Sequence, residues 1–168
     1  MSHDRYRVLE TPVGSFHLIQ GDDGSIRTGW VGFGTPLPPS ARLDRSLLPD
    51  LTDRLKRQFD GEVTDFSDIP LPKAPPFHIA CWAAARRIPH GRCLSYARLA
   101  SEAGSPSAAR AAGQAMRHNP QPIITPCHRV VSSNGGLGGF AGSSKTDRIE
   151  TRTKRALLAI EGADIPGS

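Results

Sequence analysis

Apolar and polar residues alternate over short stretches in the first part of the chain. "YRVLE", "SFHLIQ" and "IRTGWVGF" each read as a half-buried strand, separated by Thr11-Pro12 and by Asp22-Asp23-Gly24, a good tight-turn sequence. A loop, "GTPLPPS", follows. Over residues 41–60 the period changes. Leu43, Leu47, Leu51, Leu55 and Phe59 recur every four residues, which predicts a helix that Pro49 breaks or restarts and Gly61 ends. "EVTDF" reads as one more strand.

"IPLPKAPP", residues 69–76, holds four prolines in eight positions and is the clearest linker, stiff and extended. It divides the chain into a region of residues 1–70 and one of residues 77–168. Beyond it, Phe77, Cys81, Ala84, Ala85 and Ile88 trace a helical stripe ending at Pro89, with Trp82 packed beside it. Ser95 caps a short helix, "YARLASEA", which stops at Gly104. Ser105 with Pro106 at the first helical position predicts a second helix, "PSAARAAGQAMRH", running to about His118. Two short helices joined at a glycine read as a helix-turn-helix. "IITP" and "HRVVS" are extended, and Asn134-Gly135 is a hairpin turn signal, so the pattern suggests a winged helix. "TKRALLAIEG" closes the pattern as an amphipathic helix ending at Gly162.

Composition narrows the classes. A chain of 168 residues with 38% hydrophobic residues forms one ordinary domain or two small ones. No apolar run is long enough to cross a bilayer and "MSHDRYRVLE" lacks a signal-peptide core, so a cytoplasmic protein without membrane partners is expected. The net charge of +5 points to an anionic partner, nucleic acid first. Its distribution says more than its sum. From Ala103 to Thr146 there is no Asp or Glu, while Arg110, Arg117, Arg129, Lys145, His118 and His128 all fall there. Phosphate binding favours such a stretch, because a nearby carboxylate repels the backbone. Arg110, Gln114 and Arg117 share one face of the second helix at i, i+4, i+7, and the alanines from Ala108 onward keep that helix slim enough to approach a narrow groove.

Cys81, Cys93 and Cys127 are an odd number without C-x-x-C spacing, which argues against a disulfide framework and against zinc. Cys127 stands between Pro126 and His128. A thiol and an imidazole adjacent in sequence are a weak signal by themselves. Neighbours in a strand point to opposite faces, and a Cys–His protease or acyltransferase stays open on the dipeptide alone.

"PCHRVV", with "AARAAGQAMRHNP" just upstream, strongly resembles the O6-alkylguanine-DNA alkyltransferases, also called methylated-DNA–protein-cysteine methyltransferases. The resemblance continues in "IPHGRCLSYARLA", "GGFAG" and "LLAIEG", covers Phe77 to Gly162 well, and is looser over "TPVGSFHLIQGDDGSI". It implies an α/β fold: a small N-terminal antiparallel sheet domain like ribonuclease H, and a C-terminal winged helix-turn-helix domain. It also implies repair of O6-alkylguanine in double-stranded DNA by a single, irreversible transfer of the alkyl group to Cys127, without a cofactor and with the protein monomeric when free. By the same resemblance His128 deprotonates the thiol through a water, Glu161 orients His128, Asn119 ties the recognition helix to the active-site strand, and Tyr96 donates to guanine N3. Arg110 replaces the flipped base in the stack, with Ser95, Ala108, Gln114 and Arg117 also on the DNA. Met116, Val130, Phe140 and Ala141 line the base pocket. Cys81 and Cys93 match no reacting position and read as structural.

Two departures stand out. "SSKTDRIETRTKRA" is longer than the family's usual connection, leaving Lys145, Arg148, Arg152, Lys154 and Arg155 to touch DNA or simply to face solvent in a loop over about 143–153. Ala141 stands where some members carry Ser. A non-catalytic protein that binds alkylated bases and recruits other repair is the main alternative. The acceptor cysteine with His128 and Glu161 argues against it. A winged-helix thiol sensor would need a cysteine-rich metal module that the sequence lacks.

Overall fold

Three strands at the start of the chain, β1 (Arg5–Thr11), β2 (Gly14–Gln20) and β3 (Ile26–Trp30), form an antiparallel meander in the expected places. The structure, a computed structural model, describes residues 3–134, 136–139 and 148–164. A two-residue strand, β4 (Arg42–Leu43), pairs parallel with β1 and completes a sheet of order β3-β2-β1-β4. Helix α1 (Pro49–Phe59) begins at Pro49, a proline at the start of a helix forfeiting no intrahelical bond. The helix expected from residue 41 is therefore shorter, its first part a strand and a turn. Gly61 follows α1 at φ +91°, a conformation that favours glycine. "EVTDF" forms no strand: Thr64 Oγ1 donates to Gln58 Oε1 at 2.6 Å, and Asp65 Oδ1 accepts from the Ser67 N–H at 2.8 Å in a side-chain turn.

Helix α2 (Pro76–Arg86) buries the expected stripe of Cys81, Ala84 and Ala85, with Ile88 just beyond. Helix α3 (Tyr96–Glu102) is capped by Ser95, whose Oγ accepts from the Arg98 N–H at 3.1 Å. Helix α4 (Ala109–Arg117) starts later than Ser105-Pro106 predicts. The Ser105 carbonyl accepts from the Ala108 N–H in a separate turn, and the helix has no side-chain cap. Trp82 Nε1 donates to the Ala115 carbonyl at 2.8 Å, pinning α4 to α2. Val130–Val131 (β6) pairs parallel with Leu94–Ser95 (β5), and beyond it the Ser132 N–H donates to the Gly136 carbonyl at 3.0 Å, while Gly135 and residues 140–147 of the expected hairpin lie outside the described residues. Helix α5 (Ile149–Ile160) begins well before "TKRA", so residues 149–153 of the expected loop are helical.

One apolar cluster runs through Leu9, Phe16, Trp30, Leu55 and Phe59 into Trp82, Ala112, Ile124 and Val130. The sheet, α1 and helices α2 and α4 thus share an interior across the proline-rich segment. Polar bonds clamp that segment too. Arg86 donates to the Ile69 carbonyl and to Gln121 Oε1 (2.7 Å), and Gln121 Nε2 donates to the carbonyls of Ile26 (2.9 Å) and Pro70 (3.2 Å). Among the described residues no helix is long and apolar enough to cross a membrane.

Candidate active site

Cys127 opens a short 3₁₀ turn, Cys127–Arg129, and is 8% exposed. Pro126, with ψ at 68°, bends the chain there, so Cys127 and His128 do not alternate as strand neighbours. The segment leading to it is held in an uncommon geometry. Ile123 takes φ +76°, a region that costs a β-branched residue on the order of 1–3 kcal/mol. Three hydrogen bonds hold the segment against that strain. Asn119 Nδ2 donates to the Thr125 carbonyl at 2.8 Å, Asn119 Oδ1 accepts from the Gln121 N–H at 2.9 Å, and Arg86 Nε donates to Thr125 Oγ1 at 3.0 Å. The Asn119 side chain also bonds to Cys127. Burial raises the Cys127 thiol above its ordinary value, while that bond and the Lys154 charge oppose the rise. At neutral pH this thiol needs a base.

His128 is 1% exposed and Glu161, just after α5, is 7% exposed. Their contact, His128 Nε2 to Glu161 Oε1, is 2.8 Å. The carboxylate takes further donors. Arg129 Nη2 reaches Oε1 at 2.8 Å, Arg129 Nε reaches Oε2 at 3.0 Å, and Gln58 Nε2 on α1 reaches Oε1 at 2.9 Å. Burial alone raises a carboxyl, but the hydrogen bonds and charges of His128 and Arg129 outweigh it and hold Glu161 well below the usual carboxylate range. An ionised Glu161 accepts only, so His128 carries its proton on Nε2. His128 Nδ1 is buried and has no hydrogen-bond partner among the described residues. Burial lowers His128 below its ordinary pKa, against the pull of Glu161, so the imidazole is neutral at pH 7. A buried imidazole in a fixed tautomer, with its Nδ1 unclaimed among the described residues and one residue along the chain from a thiol, can serve as that base through a bridging water.

Lys154 sits behind Tyr96. It was expected in a loop over DNA or solvent, yet it is fully buried, with Nζ donating to the Val130 carbonyl at 2.6 Å, the Gly139 carbonyl at 3.0 Å and Tyr96 Oη at 3.4 Å. Burial lowers this lysine to about 8, with Cys127 and Cys93 opposing. Burial raises the Tyr96 phenol to about 12, with the Cys127 charge adding to the rise, so Tyr96 keeps its proton. Gly138, at φ +75°, leaves no room for a side chain. An added Cβ would stand 2.7 Å from the Tyr96 ring. Met116 and Val130 are buried nearby in the same apolar cluster as Cys127. Phe140, Ala141 and Lys145 lie outside the described residues. A cavity of about 410 Å³ reaches Cys127 between Trp30 and Gly34–Pro36 on one side and Met116–Pro120 with Pro122 on the other.

Arg110, Gln114 and Arg117 are exposed together on α4, as the spacing predicts, while Ala108 and Ser95 are partly covered. Arg148, Arg152 and Arg155 are exposed on α5 or just before it. Arg129 and His128, counted with the basic stretch, face inward and serve Glu161 instead of a surface. Two participants escaped the sequence reading. Lys154 precedes Leu158 and Glu161 by four and seven positions, the period of one helix face, and that spacing was the available signal. Gln58 carried none, since it lies in the other half of the chain.

A family model described as the DNA-binding domain of 6-O-methylguanine DNA methyltransferase matches residues 76–163. The constitutive methylated-DNA–protein-cysteine methyltransferase of Bacillus subtilis is 37% identical, covering 93% of this chain and 94% of its own length. The Cricetulus griseus protein of the same name is 46% identical over 94% of this chain and 82% of its own. The crystal structure of Mycobacterium tuberculosis OGT in complex with DNA superposes with a TM-score of 0.80 at 33% identity, covering 94% of this chain and 92% of that one.

Proposed function

Because the chain belongs to the methylated-DNA–protein-cysteine methyltransferase family, we propose that it repairs O6-alkylguanine in double-stranded DNA by moving the alkyl group onto Cys127, once per molecule. His128 Nδ1 takes the thiol proton through a water, while Glu161 holds the proton on Nε2. The thiolate attacks the alkyl carbon, an S–C bond forms and the C–O6 bond breaks, its electron pair staying on guanine. Tyr96, protonated and partly buried, donates to N3 and stabilises that charge, with the Lys154 ammonium behind it. Asn119 holds Cys127 in line. The resulting thioether is a poor leaving group, which makes the reaction single-turnover.

The reacting carbon lies within the duplex stack, so the nucleotide must be flipped out. Arg110 enters the space it leaves, and Ser95, Ala108, Gln114 and Arg117 hold the backbone. Met116 and Val130, with Phe140 and Ala141, form the pocket for the base, and the cavity at Cys127 has room for the alkyl group. In this reading residues 1–70 are the ribonuclease-H-like domain, residues 77–168 the winged helix-turn-helix domain, and the turn at 132–136 the start of the wing.

The observation that carries the reading is the buried His128, its Nε2 bonded to Glu161 and its Nδ1 unpaired among the described residues, directly after the buried Cys127 thiol in the same 3₁₀ turn. Nucleoside analysis of a duplex holding one O6-methylguanine tests it. Conversion of O6-methylguanine to guanine, one lesion per protein molecule and with no abasic site, is expected. Binding that prefers the lesion duplex but leaves O6-methylguanine intact would replace the transferase with a recruiting protein.

A further inference from the structure

Glu161 is the only carboxylate touching His128 among the described residues, and one of its hydrogen bonds comes from the other half of the chain. Gln58, 5% exposed on α1, donates from Nε2 to Glu161 Oε1 at 2.9 Å. The amide could turn over and present its oxygen, which would repel the carboxylate. The ionised Glu161 prevents this: it only accepts, so the amide nitrogen must face it, and the amide oxygen is left to accept from Thr64 Oγ1 at 2.6 Å, which braces the side chain in that orientation. Backbone contact keeps the two halves in register. Gly61, two residues past Phe59, packs where an added Cβ would stand 3.1 Å from the Ile160 carbonyl, directly before Glu161. We infer that Thr64 and Gln58 form a relay from the N-terminal region to the His128–Glu161 pair, and that Gln58 is a positioning residue which sets how strongly Glu161 holds the His128 proton.

The inference rests on the proposed transfer reaction and adds a control to it. Oε1 is shared by His128, Arg129 and Gln58. Each N–H donor withdraws negative charge from that oxygen, so losing one leaves it a stronger acceptor for the others. Without Gln58, Glu161 favours the imidazolium more and His128 becomes more basic. The charged and titratable groups that also face this pair are Arg129 and Cys127 from the 3₁₀ turn, Lys154 from α5, and Cys93 before β5. None of them is altered by changing Gln58. The free carboxylate can also rotate, so the imidazole is held less firmly toward the thiol.

Gln58→Leu keeps the volume and removes the donor. Two readouts apply: the pH dependence of single-turnover methyl transfer from saturating O6-methylguanine duplex, and the titration of the His128 imidazole by NMR in the unreacted protein. In Gln58→Leu the acid limb and the His128 midpoint should both move up, by roughly half a pH unit to one unit, since a hydrogen bond to a charged group is of that order. The maximal rate should fall several-fold while the affinity for the duplex stays the same. Thr64→Val, at a partly exposed position, should move both midpoints in the same direction by less, and it stands in if Gln58→Leu does not fold. A midpoint that stays in place in a folded variant, with only stability reduced, overturns the relay and leaves Gln58 a packing residue. If the wild-type protein transfers no methyl group, the proposed function fails. The NMR midpoint still decides the relay in that case.

Discussion

The interior of the sheet and the interior around Cys127 are built on opposite principles. Between β1–β3 and α1 most buried side chains are large and apolar, and the polar ones, His17, Thr28, Thr52 and Gln58, include no carboxylate, lysine or arginine: Phe16 meets Trp30 at 5.0 Å and Phe59 at 5.1 Å, both edge-on. The ion pairs of that region lie outside, as in Arg57–Asp53 at 3.1 Å. Around Cys127 the buried groups are Glu161, His128, Arg129 and Lys154. Taking charges out of water is costly, and apolar residues of similar size usually serve stability as well or better. A region that retains three buried charges, Glu161, Arg129 and Lys154, and a buried imidazole is arranged for chemistry, with the apolar region bearing the fold. Gln58, at the C-terminal end of α1, and Thr64, just beyond that helix, are where the two regions meet.

The contrast can be broken from either side. The largest effect is expected at His128. Without a base the raised thiol is seldom ionised at neutral pH, so His128→Ala should slow methyl transfer by about 10²–10⁴-fold in rapid-quench assays. A loss within threefold would mean that another group takes the proton.

Glu161→Ala comes next and should damage both properties. It strands the buried Arg129, a change of about 3–5 kcal/mol in denaturant unfolding, and it frees the His128 tautomer, slowing transfer. The pH dependence sharpens this. The Glu161 carboxyl is depressed in the folded state, so its contribution is present above the ordinary carboxylate pKa and is lost as pH falls through the lower folded value. His128 is also depressed, so the unfolded chain takes up its proton first and stability declines as pH falls below about 6.5. Wild type should therefore lose stability in two stages on acidification. In Glu161→Ala the stage at carboxylate pH should shrink. An unchanged acid profile would show that Glu161 is not held as described.

Phe16→Ala should cost about 3–5 kcal/mol by the cavity it leaves, while the folded fraction transfers methyl at the wild-type rate. A slower reaction per folded molecule would show the sheet interior acting on the chemistry. At the bottom of the scale, Asp53→Ala, breaking an exposed i,i+4 pair, should change unfolding by less than about 1 kcal/mol and leave transfer untouched.

Much of this was legible in the sequence, and the exceptions have physical causes. Strands β1–β3 and helices α2 and α3 follow from period and caps, which act locally. Strand β4 is two residues long and exists only through pairing with β1, which no local pattern encodes. "EVTDF" alternates like a strand, but its polar side chains are committed to Gln58 and to a side-chain turn. Pro106 suits a helix start, yet the chain must first turn at Ser105–Ala108 before α4 can lie against Trp82. At the site, Cys127, His128 and Glu161 were named from a motif resemblance, and Arg110, Gln114 and Arg117 emerged on one exposed face. Lys154 was misjudged because a lysine in an arginine-rich run looks solvated, and only the contacts of Tyr96, Val130 and Gly139 explain its burial. Arg129 looked like part of a basic surface because its partner Glu161 lies 32 residues away.

The most direct test of the central claim is intact and peptide mass after incubation with excess duplex holding one O6-methylguanine. The account predicts one added methyl per chain, on the peptide containing Cys127, with no further gain at longer times and none in Cys127→Ala. A methyl on Cys81 or Cys93, or lesion loss with no added mass on the protein, would contradict it.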